Sequence, residues 1–174
     1  MMEDLRYPIG RFVADTFTDA VRRRCVDALA ALPQNLEAAV DGWSEVMLDT
    51  PYRPEGWTVR QLVHHVADSH LNAYIRFRLA LTEENPLVKT YDQEKWAALA
   101  DARTAPVGLS LRLIRALHQR WVLLLGSLAA ADFERRLNHP ELGEISLGFL
   151  LQLYAWHGSH HVAHIAGLEK RMGW

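Results

Sequence analysis

The sequence predicts an all-α protein built as a four-helix bundle, and three observations carry that reading. Apolar residues recur at intervals of three and four over four long stretches. Three of those stretches open on a hydroxyl residue suited to capping, and no run alternates apolar and polar residues as a half-buried strand would. At 174 residues, 49% of them hydrophobic, the chain has the length and apolar content to bury one substantial core. Residues 1–174 are read as a single domain.

Residues 1–17 contain Pro8 and Gly10 and sustain no period, so they are expected to form an extended arm laid over the domain. Thr18 is a good N-cap for a first helix over 19–42, with Val21, Cys25, Ala28, Leu29, Leu32, Leu36 and Val40 inward. Pro33 has no amide hydrogen and should bend or break it. The segment between Asp41 and Trp57, with two prolines and two glycines, reads as a structured loop. Thr58 and Gln61 form a capping box, which starts a second helix over 59–82 that Asn85-Pro86 terminates.

That helix buries Val59, Leu62, Val63, Val66, Ala73 and Phe77. Residues 83–108 are too long for a plain turn and hold a short helix around 93–100, capped by Asp92. A third helix over 109–129 has Leu113, Leu117, Trp121, Leu124 and Leu128 as its buried stripe, which leaves His118 off it. Residues 133–146 are turn-rich and leave room for a small hairpin. Ser146 caps the fourth helix, over 147–171.

Composition excludes some classes of function. The formal net charge is −2 and the only tight basic run is Arg22-Arg23-Arg24, on successive faces of one helix, so the footprint of a nucleic-acid binder is missing. Cys25 is the single cysteine, which rules out an intramolecular disulfide; it lies on an apolar stripe and is expected to be a buried, inert thiol. No apolar run approaches 18 residues and the N-terminus lacks the apolar segment of a signal peptide, so a cytoplasmic protein without a membrane partner is expected.

Chemistry concentrates in the histidines. Seven of the nine lie on the second and fourth helical stretches. On the fourth, Leu150, Tyr154, His157, His161, Ile165 and Leu168 form one inward stripe that is apolar, then imidazole, then apolar again. A buried imidazole without a partner costs about 1–3 kcal/mol. Two of them one turn apart, roughly 5–6 Å between Cβ atoms, can converge on one cation. A third ligand should come from the facing histidine-bearing helix. His70 lies nearest its apolar face, His65 at the edge and His64 on the far side, and periodicity excludes only His64.

The segments Gly56-Trp-Thr-Val-Arg-Gln-Leu-Val-His-His-Val-Ala-Asp-Ser-His70 and Trp156-His-Gly-Ser-His-His-Val-Ala-His-Ile165 resemble the metal motifs of the DinB-like four-helix bundles, specifically the YfiT family. The resemblance extends to Tyr7-Pro-Ile-Gly10, Asp49-Thr-Pro-Tyr-Arg53, Tyr74-Ile-Arg-Phe-Arg78, Tyr91-Asp92 and Arg171-Met-Gly-Trp174, so it covers nearly the whole chain. It implies a metal site between the second and fourth bundle helices, with His65, His157 and His161 as ligands. It also implies one divalent ion per chain, zinc or nickel, a homodimer, and the provisional label of metal-dependent hydrolase. Some relatives act as bacillithiol S-transferases.

Three neutral nitrogens leave the full charge on such an ion and at least one open position, as in catalytic zinc sites. The zincin glutamate is absent, because Gly158 follows His157, and no Glu-x-x-His pair suggests a di-iron centre. An activated low-molecular-weight thiol therefore leads, in a bacillithiol-type S-transfer on a small-molecule substrate. Hydrolysis by activated water is the close alternative, and a binding module without turnover is the third. Asp68, at i+3 from His65, is expected to orient a ligand ring, to cap, or to become a fourth ligand. His70, His160 and His164 are assigned to supporting, pocket-lining or surface positions. Trp57 and Trp156 flank the site and are read first as packing residues. Arg76 either meets an anionic substrate or lies on a solvated face.

Overall fold

The computed structural model describes residues 5–174, so the first four residues of the expected arm lie outside it. The elements are α1 (Asp19–Ala38), α2 (Glu45–Leu48), α3 (Val59–Thr82), α4 (Gln93–Ala97), α5 (Ala100–Thr104), α6 (Val107–Gly126), a 3-10 turn (Ala130–Glu134), β1 (Arg136–His139), β2 (Gly143–Ser146) and α7 (Leu147–Met172). The four long helices, α1, α3, α6 and α7, form the bundle. Each expected cap is made. Thr18 Oγ1 accepts from Val21 N at 3.2 Å, Asp92 Oδ1 from Lys95 N at 3.0 Å and Ser146 Oγ from Phe149 N at 3.1 Å. Thr58 and Gln61 close their capping box in both directions, at 3.2 and 2.9 Å.

Paired contacts give the direction of each helix. Phe17 lies against Gly148 and Leu32 against Gly158, so α1 and α7 are parallel. His64 meets Ser110, His70 meets His118 and Phe77 meets Trp121, so α3 and α6 are parallel as well. Arg76 meets Tyr154 and His65 meets His161, which sets α3 antiparallel to α7. The order is up-down-down-up. A parallel α3–α6 pair requires the connection between them to travel back along the bundle, which is why it is long and carries α4 and α5.

Several expectations are corrected. α1 ends at Ala38, four residues early, because turns and a left-handed Gly42 (φ +73°) take over; Val40 is nevertheless buried from the turn. Pro33 does not break α1, which runs continuously past it. α6 buries Ile114, Leu117, His118, Trp121 and Leu125, whereas Leu113 is 44% exposed. Its sequence is rich enough in leucine to satisfy two neighbouring stripes, and packing against α1 and α3 selects the one that contains His118.

The hairpin is present, with Arg136 opposite Ser146 and His139 opposite Gly143. The arm lies along α7: Asp15 N donates to Gln152 Oε1 at 2.8 Å, and the Phe12 ring packs on Phe149 and Trp156 at 5.4 and 5.9 Å. Cys25 is buried, and burial raises its thiol pKa, so it is a poor nucleophile. No helix among the described residues is long and apolar enough to cross a membrane.

Candidate metal centre

His65 on α3 and His157 and His161 on α7 converge. His157 Nε2 lies 3.3 Å from His65 Nε2 and 3.2 Å from His161 Nε2. With metal–nitrogen bonds of about 2.1 Å, tetrahedral ligand nitrogens are about 3.4 Å apart. Two of the three separations thus match such an edge, the ligand atoms of all three residues lie within 4.8 Å of one another, and the donor set fits a divalent cation. Burial pushes the pKa of His65 down to about 4 and those of His157 and His161 well below the usual value, with neighbouring histidines adding to the effect at the latter two. All three are neutral at pH 7, as ligands must be.

The tautomer of His157 follows from a chain of contacts behind it. Pro33 has no N–H, so the Leu29 carbonyl one turn earlier lacks its helical partner. His118 Nδ1 approaches that oxygen at 2.5 Å. A carbonyl can only accept, so His118 Nδ1 carries the proton. Burial lowers the pKa of His118 to about 4, which keeps the ring neutral and leaves Nε2 as an acceptor. It accepts from His70 Nδ1 at 3.0 Å, and His70 Nε2 in turn accepts from His157 Nδ1 at 3.2 Å. The His157 Nε2 lone pair is thereby left bare and directed at its two companions, the orienting arrangement expected behind a metal ligand. His161 Nδ1 is buried without a partner, so His157 is the better oriented of the two.

Other histidines and acids are now placed. His64, read as facing away, does not join the cluster but is buried, bonding Ser110 Oγ at 2.7 Å and the Ala105 carbonyl at 3.1 Å. His160 and His164 are buried rather than superficial and form a second grouping with His161. Their Nε2 atoms are 3.0 Å apart. Burial, then His160, Arg53 and Arg171, push the His164 pKa down to about 3, and those two guanidinium groups make the second grouping a poorer seat for a cation. Asp68 belongs to neither grouping, and no hydrogen bond joins its carboxylate to a ligand ring among the described residues. Burial, with Asp101 nearby, raises its pKa to about 6. Arg76 is not on a solvated face: it is 6% exposed.

A cleft of about 250 Å³ reaches the three rings between Arg53, Trp57, Glu94 and Trp156. The Trp57 ring packs against His65 at a tilt of 54°, with centroids 4.7 Å apart, and its indole N–H donates to Glu94 Oε2 at 2.9 Å. Both tryptophans line the cleft. Periodicity gave no sign of Glu94, since it arrives from the crossover; nor of His118, since its stripe was assigned one position away. The free carbonyl behind Pro33 was legible only as a missing amide.

Fold and converging imidazoles together define the class: a four-helix bundle with a histidine-built site suited to a divalent cation. The model of the DinB superfamily matches residues 28–165, and the chain belongs to that superfamily. A protein of Bacillus mycoides (strain KBAB4) named "Putative metal-dependent hydrolase" is 52% identical over 174 residues, covering 99% of this chain and 100% of the relative. A protein of the same description from Bacillus cereus (strain ATCC 10987 / NRS 248) is 51% identical over 177 residues with the same coverage. Among solved structures, YfiT from Bacillus subtilis, described as "a probable metal-dependent hydrolase with an unusual four-helix bundle topology", superposes with a TM-score of 0.96 at 45% identity. That match covers 98% of this chain and 99% of YfiT.

Proposed function

We propose that this chain is a metal-dependent enzyme acting on a small molecule, with zinc or nickel held by His65, His157 and His161 and a low-molecular-weight thiol of the bacillithiol type as nucleophile. One observation carries the metal part of this reading: three neutral imidazole nitrogens with two edges of 3.2 and 3.3 Å, one of them with its lone pair fixed by the chain that ends on Leu29. The names of the relatives support it. A bound ion supplies positive charge that lowers the pKa of a coordinated thiol or water, making a nucleophile at neutral pH.

The chain's own residues orient and enclose. His70 holds the His157 ring, and Trp57 and Trp156 narrow the access to the rings. Gly158 denies the site a zincin-type base, because a side chain there would meet Leu32, whose Cδ2 lies 2.4 Å from the position of an added Cβ. That favours a thiol, which needs no base once coordinated. Hydrolysis is the second reading, favoured by Glu94, a carboxylate on the wall of the same cleft as the three rings and a candidate general base.

Protein purified without a histidine tag should hold about one equivalent of metal, and His157→Ala should lose most of it. Metal-loaded protein is then assayed with a thiol and a model electrophile, and separately with a model ester. Thiol-dependent conjugation that survives Glu94→Gln supports the transferase. Thiol-independent ester cleavage that Glu94→Gln abolishes supports the hydrolase, and neither activity leaves a binding module. Retention of metal by His157→Ala would reassign the site.

A further inference from the structure

Two arginines are buried among the described residues, and they differ in one respect. Arg60 is fully matched: Nε donates to Asp49 Oδ1 at 2.6 Å, one Nη to Glu45, and the other Nη to the Ala105 carbonyl at 3.1 Å. Arg76 has no carboxylate within ion-pair distance among the described residues. Its Nη1 donates to Tyr154 Oη at 3.1 Å and its Nη2 to the Lys89 carbonyl at 3.0 Å, while the buried Nε–H has no acceptor. A guanidinium keeps its charge at any physiological pH, and a buried charge without a counter-charge is unfavourable unless something completes it.

The place where it could be completed is visible. Arg76 lines a cleft of about 620 Å³ together with Ser69, Tyr91, His139, Tyr154 and His157. His157 thus belongs to the candidate metal centre and to this cleft at once. Tyr154, which accepts from Arg76, precedes His157 by three residues on α7, about 4.5 Å along the helix axis. Two acids also line the cleft, and neither reaches the guanidinium. Asp92 is exposed, capping α4 and pairing with Lys95 at 3.2 Å, and Glu141 is exposed beside His139. The wall of the cleft is therefore cationic at Arg76, while the nearby acids are turned to solvent.

We infer that Arg76 is the seat of an oxyanion carried by the substrate, a compact molecule whose carboxylate or phosphate docks on the guanidinium while its reactive end lies at His157. The inference rests on the proposed metal-dependent function for the second half of that statement only. The forked geometry of arginine suits a planar carboxylate or a phosphate in two-point contact, and the unused Nε–H provides one of the two donors. Docking there would orient the substrate along α7 and supply binding energy remote from the reacting atoms.

The test titrates the full-length protein calorimetrically with succinate, with inorganic phosphate, and with neutral succinamide, both as purified and after chelation. Saturable binding of at least one oxyanion, in both forms and without binding of succinamide, is expected. Arg76→Gln should weaken it at least tenfold with the metal content unchanged. No oxyanion binding to wild type, binding that disappears on chelation, or undiminished binding by Arg76→Gln would each overturn the inference. Should Arg76→Gln fail to fold, the wild-type Arg76 Nε–H resonance must shift on titration, and a static resonance would overturn it equally. All of these failures leave the three-histidine reading untouched. Absence of metal with oxyanion binding intact would do the reverse.

Discussion

The Leu29 carbonyl shows how a single missing atom in the sequence reaches the candidate site. Proline in a helix interior ordinarily costs about 3 kcal/mol, part of it from the lost hydrogen bond. Here the vacated oxygen is taken by His118, and His70 passes the donor–acceptor order on to His157. Two substitutions test this in opposite ways. His118→Leu should weaken metal binding about 10–100-fold, measured by competition with a chromophoric chelator, although no ligand is touched. It should also leave the buried His70 Nδ1–H unsatisfied, at about 1–3 kcal/mol of stability. His118→Gln, which can donate to Leu29 and accept from His70, should recover part of both. Pro33→Ala restores an amide that competes for the Leu29 oxygen, so thermal stability should rise while metal affinity falls. A carbonyl has two lone pairs, which makes that fall smaller than for His118→Leu. Unchanged affinity in both His118→Leu and Pro33→Ala would show that the chain of rings does not support the metal.

Between elements, the close approach of α1 and α7 decides what can stand beside His157. An added Cβ at Gly158 would lie 2.4 Å from Leu32 Cδ2 and 2.9 Å from Cδ1, and Leu32 is itself buried. Gly158→Ala should therefore cost about 1–3 kcal/mol through overpacking, and a change of 1 kcal/mol shifts the midpoint of a chain this size by about 2–4 °C. Leu32→Ala makes room at the same contact. The double variant should thus be less destabilised than the sum of the two single ones when thermal midpoints are compared. Additive effects would mean that Leu32 is not what excludes a side chain at 158. The same contact gives a structural reason for the missing zincin glutamate: its stem would enter the packed seam between two helices.

At the scale of the whole molecule the histidines make stability depend on acidity. Burial lowers the pKa of every one of the nine, to about 4 at His65 and His118 and about 3 at His164. The unfolded chain, whose histidines titrate near 6.5, then binds more protons than the folded one below that pH. The stability is fully present above about 6.5 and is lost as pH falls toward and through the folded values. Asp68 acts with the opposite sign, since its folded value is raised to about 6 and its contribution is lost as pH rises from about 4 to 6, but it is one group against nine. Urea midpoints of chelated protein should accordingly drop steeply between pH 7 and pH 5, and a flat profile would contradict the buried, neutral rings. Metal should add to the loss, because protons compete for three ligand nitrogens at once. At neutral pH an ion present at 100 times its dissociation constant adds about 2.7 kcal/mol, so chelation should lower the thermal midpoint by roughly 5–10 °C.

Local features were decided by sequence alone. The four caps depend on hydrogen bonds spanning three residues, and the inward pair His157 and His161 depends on a period of 3.6; neither needs a partner helix to be specified. Which of His64, His65 and His70 joins His157 and His161 was a different kind of question. All three lie within two turns of α3, and the answer depends on how α3 is rotated against α7, which periodicity leaves open and only the family resemblance anticipated. The same holds for α6, where a leucine-rich sequence offered two stripes and packing chose the one that buries His118. It holds for Arg76, whose residue type argues for solvent and whose burial comes from Lys89 in the crossover and Tyr154 on α7 closing over it. Short-range hydrogen bonding and amphipathic period are written into neighbouring residues. Helix rotation, the up-down-down-up order and the meeting of Leu29, His118, His70 and His157 arise from contacts between residues far apart in the chain, and only the folded structure decides those.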